Sequence, residues 1–445
     1  MNGSDFMEHK YSDIRVPIEE DNVSICREES LCVKCGACKN ICKFNVGVYD
    51  NYDINIVDKA ICINCGQCSL VCPTESICEV KDYLKLKNLM KDDKKVVFQV
   101  APAVRASLGE EFGMELGTNV EGKIVTALKK LGADYVFDTT FGADLTIMEE
   151  ANELIYRIKN KKTMPMFTSC CPAWVKFVET FYPEFIPNLS SCKSPILMQG
   201  SIIKNYFANL NGIDREDIIS VAVTPCTAKK YEIKREEFCN DVDFVITTRE
   251  LANWIREENI EFNKLEDSNF DDIMGRGTGA GIIFGNSGGV MEAALRTANH
   301  ILNGMESEVL QFEETRGLGN IKEALVKIGD YKLSIAVING TGDAKKVLEK
   351  LKSGEVNYDF IEVMACEGGC IAGGGQPRVH FPVTGEVKIK RKDCLFNLDV
   401  DCKIRNSYDN SDIIRIYDEY LGMPLSDKSK ELLHTSYVDR SKDLK

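Results

Sequence analysis

From residue 83 onward, short apolar runs alternate with segments whose apolar residues recur every three or four positions. KVVFQVAP (95–102), ADYVFDTT (133–140), IISVAVTP (218–225), DFVITT (243–248) and LSIAVING (333–340) read as strands, the first stopped by Pro102. Most are nearly continuous in apolar residues rather than alternating, the pattern of strands covered on both faces of a sheet. YLKLKNLMK (83–91), GKIVTALKKLG (122–132), LTIMEEANELIYRIKNK (145–161), KKVLEKLKSG (345–354) and IRIYDEYLG (414–422) read as helices. Strands alternating with helices predict α/β layers. Before residue 83 this patterning is absent and cysteines take its place.

The 445 residues hold 19 cysteines and four histidines, and ten of the cysteines fall between residues 26 and 78. Residues 79–169 hold none. We therefore divide the chain into a polar extension (1–25), a cysteine-rich domain (26–84) and a large domain (85–445), whose segment from about 390 is expected to wrap the surface. Hydrophobic residues make up 44% and charged residues 28%, ordinary for a globular protein. The formal charge of -14 argues against nucleic acid and anionic membranes as partners. No apolar run is long enough for a membrane span. The polar start, without an apolar signal core, leads us to expect a cytoplasmic protein. In a reducing compartment, clustered cysteines read as metal ligands or reactive thiols.

Cys32, Cys35, Cys38 and Cys42 are repeated thirty positions on as Cys62, Cys65, Cys68 and Cys72. This C-x2-C-x2-C-x3-C run is the bacterial-ferredoxin pattern for cubane iron–sulfur clusters, in which the fourth cysteine serves the other cluster. The predicted sets are Cys32, Cys35, Cys38 with Cys72, and Cys62, Cys65, Cys68 with Cys42. Gly36 and Gly66 allow each loop to wrap tightly. Two four-cysteine zinc sites are the alternative, but zinc usually takes paired C-x2-C units. Cys26 and Cys78 flank the repeat and read as small buried hydrophobes.

Three further motifs carry cysteines: FTSCCPAW (Cys170, Cys171), TPCTAKK (Cys226, Lys229) and VMACEGGCIAGGGQP (Cys366, Cys370). One of the adjacent pair Cys170/Cys171, with Cys226, Cys366 and Cys370, would supply four thiolates for another cubane. The glycines around Cys370 are expected to let backbone approach a bulky inorganic group. The glycine stretch GRGTGAGIIFGNSGG misses the dinucleotide and P-loop spacings and reads as close loop packing.

These motifs, with VAPAVRASLGEEFGMELG, FDTTFGADLTIMEE, FGNSGGVMEAALR and LLHTSYVDR, resemble the signatures of the iron-iron (FeFe) hydrogenases from residue 26 to about 440. The resemblance implies a bacterial-ferredoxin-like N-terminal domain with two 4Fe-4S clusters. It implies a two-lobed catalytic domain of mixed sheets flanked by helices, α+β over the whole chain, with the active-site cluster between the lobes. It implies the H-cluster, a cubane joined to a two-iron unit with CO, CN and a bridging azadithiolate. By motif position Cys171, Cys226, Cys366 and Cys370 would hold the cubane, with Cys370 the bridge. Cys170 would be the proton-exchanging thiol, and Lys229 would hydrogen-bond a cyanide. Met364, Ala101, Pro102, Pro195 and Phe284 would line the pocket. So would Thr224, where the family usually has Met.

The implied proton relay runs from Cys170 through Glu150, Ser190 and Glu153 to Arg157. Glu149 is expected to face solvent. Ala103, Ile196 and Cys192 also depart from the family pattern. His9 has no cysteines near it, so two accessory clusters are expected rather than more. The implied activity is reversible dihydrogen oxidation and proton reduction. A ferredoxin or flavodoxin would carry electrons, and maturation proteins would insert the two-iron unit. A dihydrogen sensor with weak turnover, or a non-hydrogenase iron–sulfur assembly relative, is the alternative.

Overall fold

The computed structural model describes residues 14–91, 93–238, 240–304, 315–316 and 319–445. His9 and Cys239 lie outside them. In the cysteine-rich part, β1 (Ile25–Arg27) pairs antiparallel with β2 (Ile77–Glu79). One four-stranded sheet has β3 (Lys95–Val100) between β4 (Tyr135–Asp138) and β6 (Ile218–Thr224), with β7 (Phe244–Thr247) at the edge, every pair parallel. The second sheet runs β5 (Met166–Phe167), β10 (Phe360–Met364), β9 (Tyr331–Asn339), β8 (Ile321–Ile328), parallel except for the antiparallel β8–β9 pair. The first sheet is wholly parallel and the second is mixed, with helices on their faces.

β3 shows why its sequence is apolar throughout. Val96, Phe98 and Val100 pack with Ile124 and Leu128 of the helix Glu121–Lys130. Val97, on the opposite face, packs with Phe137, Phe141 and Met198. Each such side chain contributes about 1.5–3 kcal/mol when fully buried. The helix Thr139–Lys159 starts on Asp138, whose carboxylate accepts from the Thr140 amide.

Parallel strands deliver their carboxyl ends to one place. β3 leads into Ala101 and Pro102, β6 into Pro225 and Cys226, and β10 into Ala365 and Cys366. β5 leads through Thr168 and Ser169 to Cys170.

Gly36 (φ 80°) and Gly66 (φ 68°) occupy the left-handed region ahead of the helices Ala37–Phe44 and Gln67–Leu70, as a tight wrap requires. Of the glycines around Cys370, Gly369 and Gly373 line the active-site cavity, and the run after Cys370 is also crowded by protein. A Cβ on Gly373 would sit 2.3 Å from the Pro225 carbonyl oxygen, and one on Gly374 2.4 Å from that of Cys65. Gly373 admits backbone of the β6 loop within the large domain, and Gly374 lets the cysteine-rich lobe press against it. The C-terminal segment also does more than wrap: Tyr417, Leu421 and Leu433 are buried in the core beside the long helix.

Candidate active site

The loops leaving β3, β5, β6 and β10 enclose a cavity. Cys170, Cys171, Cys226, Cys366 and Cys370 line it, with Lys229, Met364, Ala101, Pro102, Pro195, Thr224 and Phe284. Every pocket residue expected from sequence is therefore in one place. Cys171 caps the helix Pro172–Phe181. Burial pushes the Cys226 thiol up to about 12 and raises Cys171, Cys366 and Cys370 as well. Four half-buried thiols around one cavity, which repel one another as thiolates, call for metal to compensate them.

The Lys229 ammonium donates to the Cys170 carbonyl at 3.1 Å and to Glu232 Oε2 at 2.9 Å. Burial opposes its charge, but Glu232 and the surrounding thiols more than restore it, so it stays a cation. Thr224 turns its hydroxyl into its own loop, donating to the Cys226 carbonyl at 3.1 Å and accepting from the Cys226 amide at 3.3 Å. Its polarity is consumed there instead of being offered to the cavity.

Behind Cys170 the relay residues assemble. Glu150 is buried and neither of its oxygens makes a well-directed hydrogen bond, although the Ser190 hydroxyl and Ser169 amide lie near enough to favour its charge slightly. Burial, reinforced by Glu153, pushes Glu150 up to about 8. Ser190 Oγ donates to Glu153 Oε2 at 2.9 Å and accepts from the Cys192 amide at 3.2 Å. One Ser190 lone pair remains for a protonated Glu150. Arg157 donates to Glu153 Oε1 through Nε (3.0 Å) and Nη2 (2.6 Å), and to the Leu189 carbonyl at 2.7 Å.

Glu149 does not face solvent. It is fully buried, accepting from Tyr417 Oη (2.6 Å), the Leu425 amide (2.8 Å) and Ser429 Oγ, and bonded to His434 Nε2 (3.0 Å). The C-terminal segment covers the face of the long helix that Glu149 presents. Burial raises its carboxyl, but hydrogen bonds from His434, Ser429 and Tyr417 outweigh this and hold it below the usual range. His434 Nδ1 also meets Ser191 Oγ at 2.8 Å, and Ser191 Oγ donates to Glu153 Oε2 at 3.2 Å. This branch was missed from sequence; LLHTSYVDR was noted only as a motif. Glu149→Gln would turn an NH₂ toward these donors and is expected to cost about 1–3 kcal/mol. The check is the unfolding midpoint against that of the parent enzyme.

In the cysteine-rich lobe, Cys32, Cys35, Cys38 and Cys72 line one small cavity, and Cys42, Cys62, Cys65 and Cys68 another. These are the two sets expected from the crossed fourth cysteine. The first lies near the surface and the second faces the active site. Between the second set and the active site, Gln67 Nε2 donates to Cys366 Sγ at 3.1 Å and to the Ala372 carbonyl at 2.9 Å. Cys26 and Cys78 are not buried hydrophobes. Cys26 is exposed, and their sulfurs stand 3.5 Å apart across the β1–β2 ladder.

Residues 94–374 match the iron only hydrogenase large subunit, C-terminal domain; 385–440 match the iron hydrogenase small subunit; and 31–77 match a 4Fe-4S dicluster domain. The chain is 44% identical over 440 residues to iron hydrogenase 1 of Clostridium pasteurianum, covering 94% of this chain and 77% of that one. The chain belongs to the FeFe hydrogenase family. This hydrogenase is also 44% identical over 447 residues to the NADP-reducing hydrogenase subunit HndD of Solidesulfovibrio fructosivorans, covering 95% and 76%. It superposes on a variant of apo FeFe hydrogenase HydA1 from Chlamydomonas reinhardtii with a TM-score of 0.72 at 40% identity, covering 81% of this chain and all of that one. The cytosolic Fe-S cluster assembly factor narfl of Danio rerio is more distant, 30% identical over 360 residues, covering 78% and 87%.

The hydrogenase's cofactors are therefore 4Fe-4S clusters and the H-cluster, and its substrates are dihydrogen and protons. The cysteine sets fit them. A tetrahedral zinc site brings its sulfurs within about 4 Å of one another. Among the described residues, Glu153, Cys192 and His434 alone have three ligand atoms within 4.8 Å. The cluster cysteines stand too open for single ions, as a cubane requires. No helix of the described residues is long and apolar enough to cross a membrane.

Proposed function

We propose that this hydrogenase works reversibly, exchanging electrons with a ferredoxin or flavodoxin in the cytoplasm, and that the residues assembled above do the work. The carrying observation is the single cavity lined by four cysteines from three loops, with Cys170 and Lys229 beside them. Cys171, Cys226, Cys366 and Cys370 would hold the H-cluster, Cys370 serving both its cubane and its two-iron unit. When bound, the H-cluster supplies the redox chemistry that makes or splits dihydrogen. Lys229 places a cation against an anionic cyanide, a charge-assisted hydrogen bond in a dry pocket. Met364, Ala101, Pro102, Pro195, Thr224 and Phe284 exclude water. Cys170 holds a proton at neutral pH, because burial raises its thiol, and Glu150 raises it further once ionised. Glu150, neutral below about 8, lies beside the free lone pair of Ser190, Ser190 donates to Glu153, and Arg157 closes the chain. Such a row passes a proton either way when neighbouring affinities are close.

We assign Cys32, Cys35, Cys38 and Cys72 to an outer 4Fe-4S cluster and Cys62, Cys65, Cys68 and Cys42 to an inner one. The domain limits at residues 26 and 84 follow from that assignment. Exposed Val33 and Phe44, with Lys34 between the outer ligands, suit an acidic one-electron carrier. The assembly-factor reading has the weaker likeness, 30% against 44% identity. Infrared spectroscopy after incubation with maturation proteins is the test: carbonyl and cyanide bands together with dihydrogen evolution are expected, and their joint absence would overturn the reading. Cys35→Ala should keep those bands and the turnover driven by an artificial donor. It should lose most carrier-driven turnover, read as dihydrogen released with reduced ferredoxin.

A further inference from the structure

We propose that Cys26 and Cys78 form a reversible cross-strand disulfide that braces the outer-cluster cavity. The two residues are direct partners in the β1–β2 ladder, and their sulfurs are 3.5 Å apart. The Val80 amide donates to the Ser24 carbonyl and the Glu28 amide to the Ser76 carbonyl. Cys26 and Cys78 lie midway between these pairs and so form a hydrogen-bonded pair themselves, with Cα atoms about 5.5 Å apart. That spacing lies within the range of about 4.4–6.8 Å in which a disulfide closes without moving backbone. The sulfurs then close from 3.5 Å to the bonded length of about 2.05 Å.

The site is reachable and reactive. Cys26 is exposed and Cys78 half-buried, so an oxidant reaches the pair from solvent. The hydrogen bond from Cys78 draws the Cys26 thiol down to about 7, so a thiolate is present at neutral pH to attack. The neighbours Arg27 and Ile77 line the cavity formed by Cys32, Cys35, Cys38 and Cys72. β1 runs into the loop carrying Cys32, and β2 follows the loop carrying Cys72. A covalent link between the strands therefore ties the two chain segments that must both hold the outer cluster.

The oxidant is a disulfide of low molecular weight or on a protein. The Cys26 thiolate attacks one of its sulfurs, giving a mixed disulfide and one released thiol. The Cys78 thiolate then displaces the second thiol. Two thiols on this chain become one disulfide, and the incoming disulfide is reduced to two thiols, so protons and electrons balance.

The test uses the cluster-loaded enzyme, kept free of oxygen and equilibrated with oxidised or reduced glutathione. It is then quenched in acid, alkylated with N-ethylmaleimide and mapped by mass spectrometry. A peptide linking Cys26 to Cys78 is expected after oxidation and should vanish after reduction. Separate alkylation of both cysteines in the oxidised sample, or a link that survives reduction, would overturn the proposal. Iron release to a chelator should be severalfold slower from the oxidised enzyme than from the reduced one, a difference lost in Cys26→Ser and in Cys78→Ser. A linked peptide with unchanged iron release would overturn the bracing role. Either serine variant alone, with parental iron content, serves if the other misfolds.

Discussion

Cys170→Ala is expected to remove nearly all dihydrogen turnover while leaving iron content and the infrared bands of the H-cluster in place. Cys170 and Cys171 are adjacent, yet their positions differ. Cys171 opens a helix in the row of thiols with Cys226, Cys366 and Cys370, whereas Cys170 is bracketed by Lys229 and Glu150. Its thiol is raised by burial, and further by Glu150 once ionised, so it keeps its proton until a neighbouring base accepts it. Deleting a positioned proton-transfer group costs roughly 10²–10⁴ in rate. The measurement is dihydrogen evolution with an artificial donor, alongside iron analysis. Loss of about one cubane's iron, four atoms, would show that Cys170 is a ligand and Cys171 is not.

Glu150→Gln should lower turnover by at least roughly a hundredfold. The exchange is nearly isosteric and breaks no existing well-made hydrogen bond, since neither Glu150 oxygen has one. An amide cannot release and regain a proton at a useful rate. The same variant should be more stable than the parent in alkaline solution. Folded Glu150 keeps its proton up to about 8, whereas the unfolded chain loses it near 4.5. Between those values the folded state binds more protons, so the Glu150 contribution to stability falls as pH rises. The thermal midpoint of Glu150→Gln should exceed the parent's at pH 8 and converge with it toward pH 4.5. Parental turnover would send the protons by another route, and equal midpoints at both pH values would mean that Glu150 is not desolvated. Glu153→Gln is a poorer probe, because Glu153 accepts from Arg157, Ser190 and Ser191 and an NH₂ would face donors on either side.

The accessory-cluster cysteine sets and the alternating strands and helices were legible along the chain, each for a local reason, whereas the pocket residues came from likeness to the family. A cubane loop needs three thiolates within seven residues, and the crossed fourth ligand follows from repeating the run. A strand covered on both faces must be apolar at every position, as Val96 to Val100 are. The i, i+3 spacing of Glu150 and Glu153 puts them on one side of a helix. The relay and the choice of Cys171 over Cys170 came from motif likeness, since adjacent cysteines alone leave the choice open.

Tertiary structure decided what depends on distant segments meeting. Glu149 reads as the exposed neighbour of a relay residue until the C-terminal segment, 285 positions away at His434, folds over it. Helical periodicity reports one buried face and cannot announce that the other is covered too. Cys26 and Cys78 look unrelated at 52 residues' separation and become partners only when β1 and β2 register. Gln67 sits among ligands as an ordinary polar residue, and only the packing of the two lobes, through glycines too crowded for any Cβ, brings its amide to Cys366. Ligand spacing is a property of the backbone near a metal and is written in sequence. Proton paths, cross-strand thiols and lobe contacts are properties of surfaces that exist only once the chain has closed.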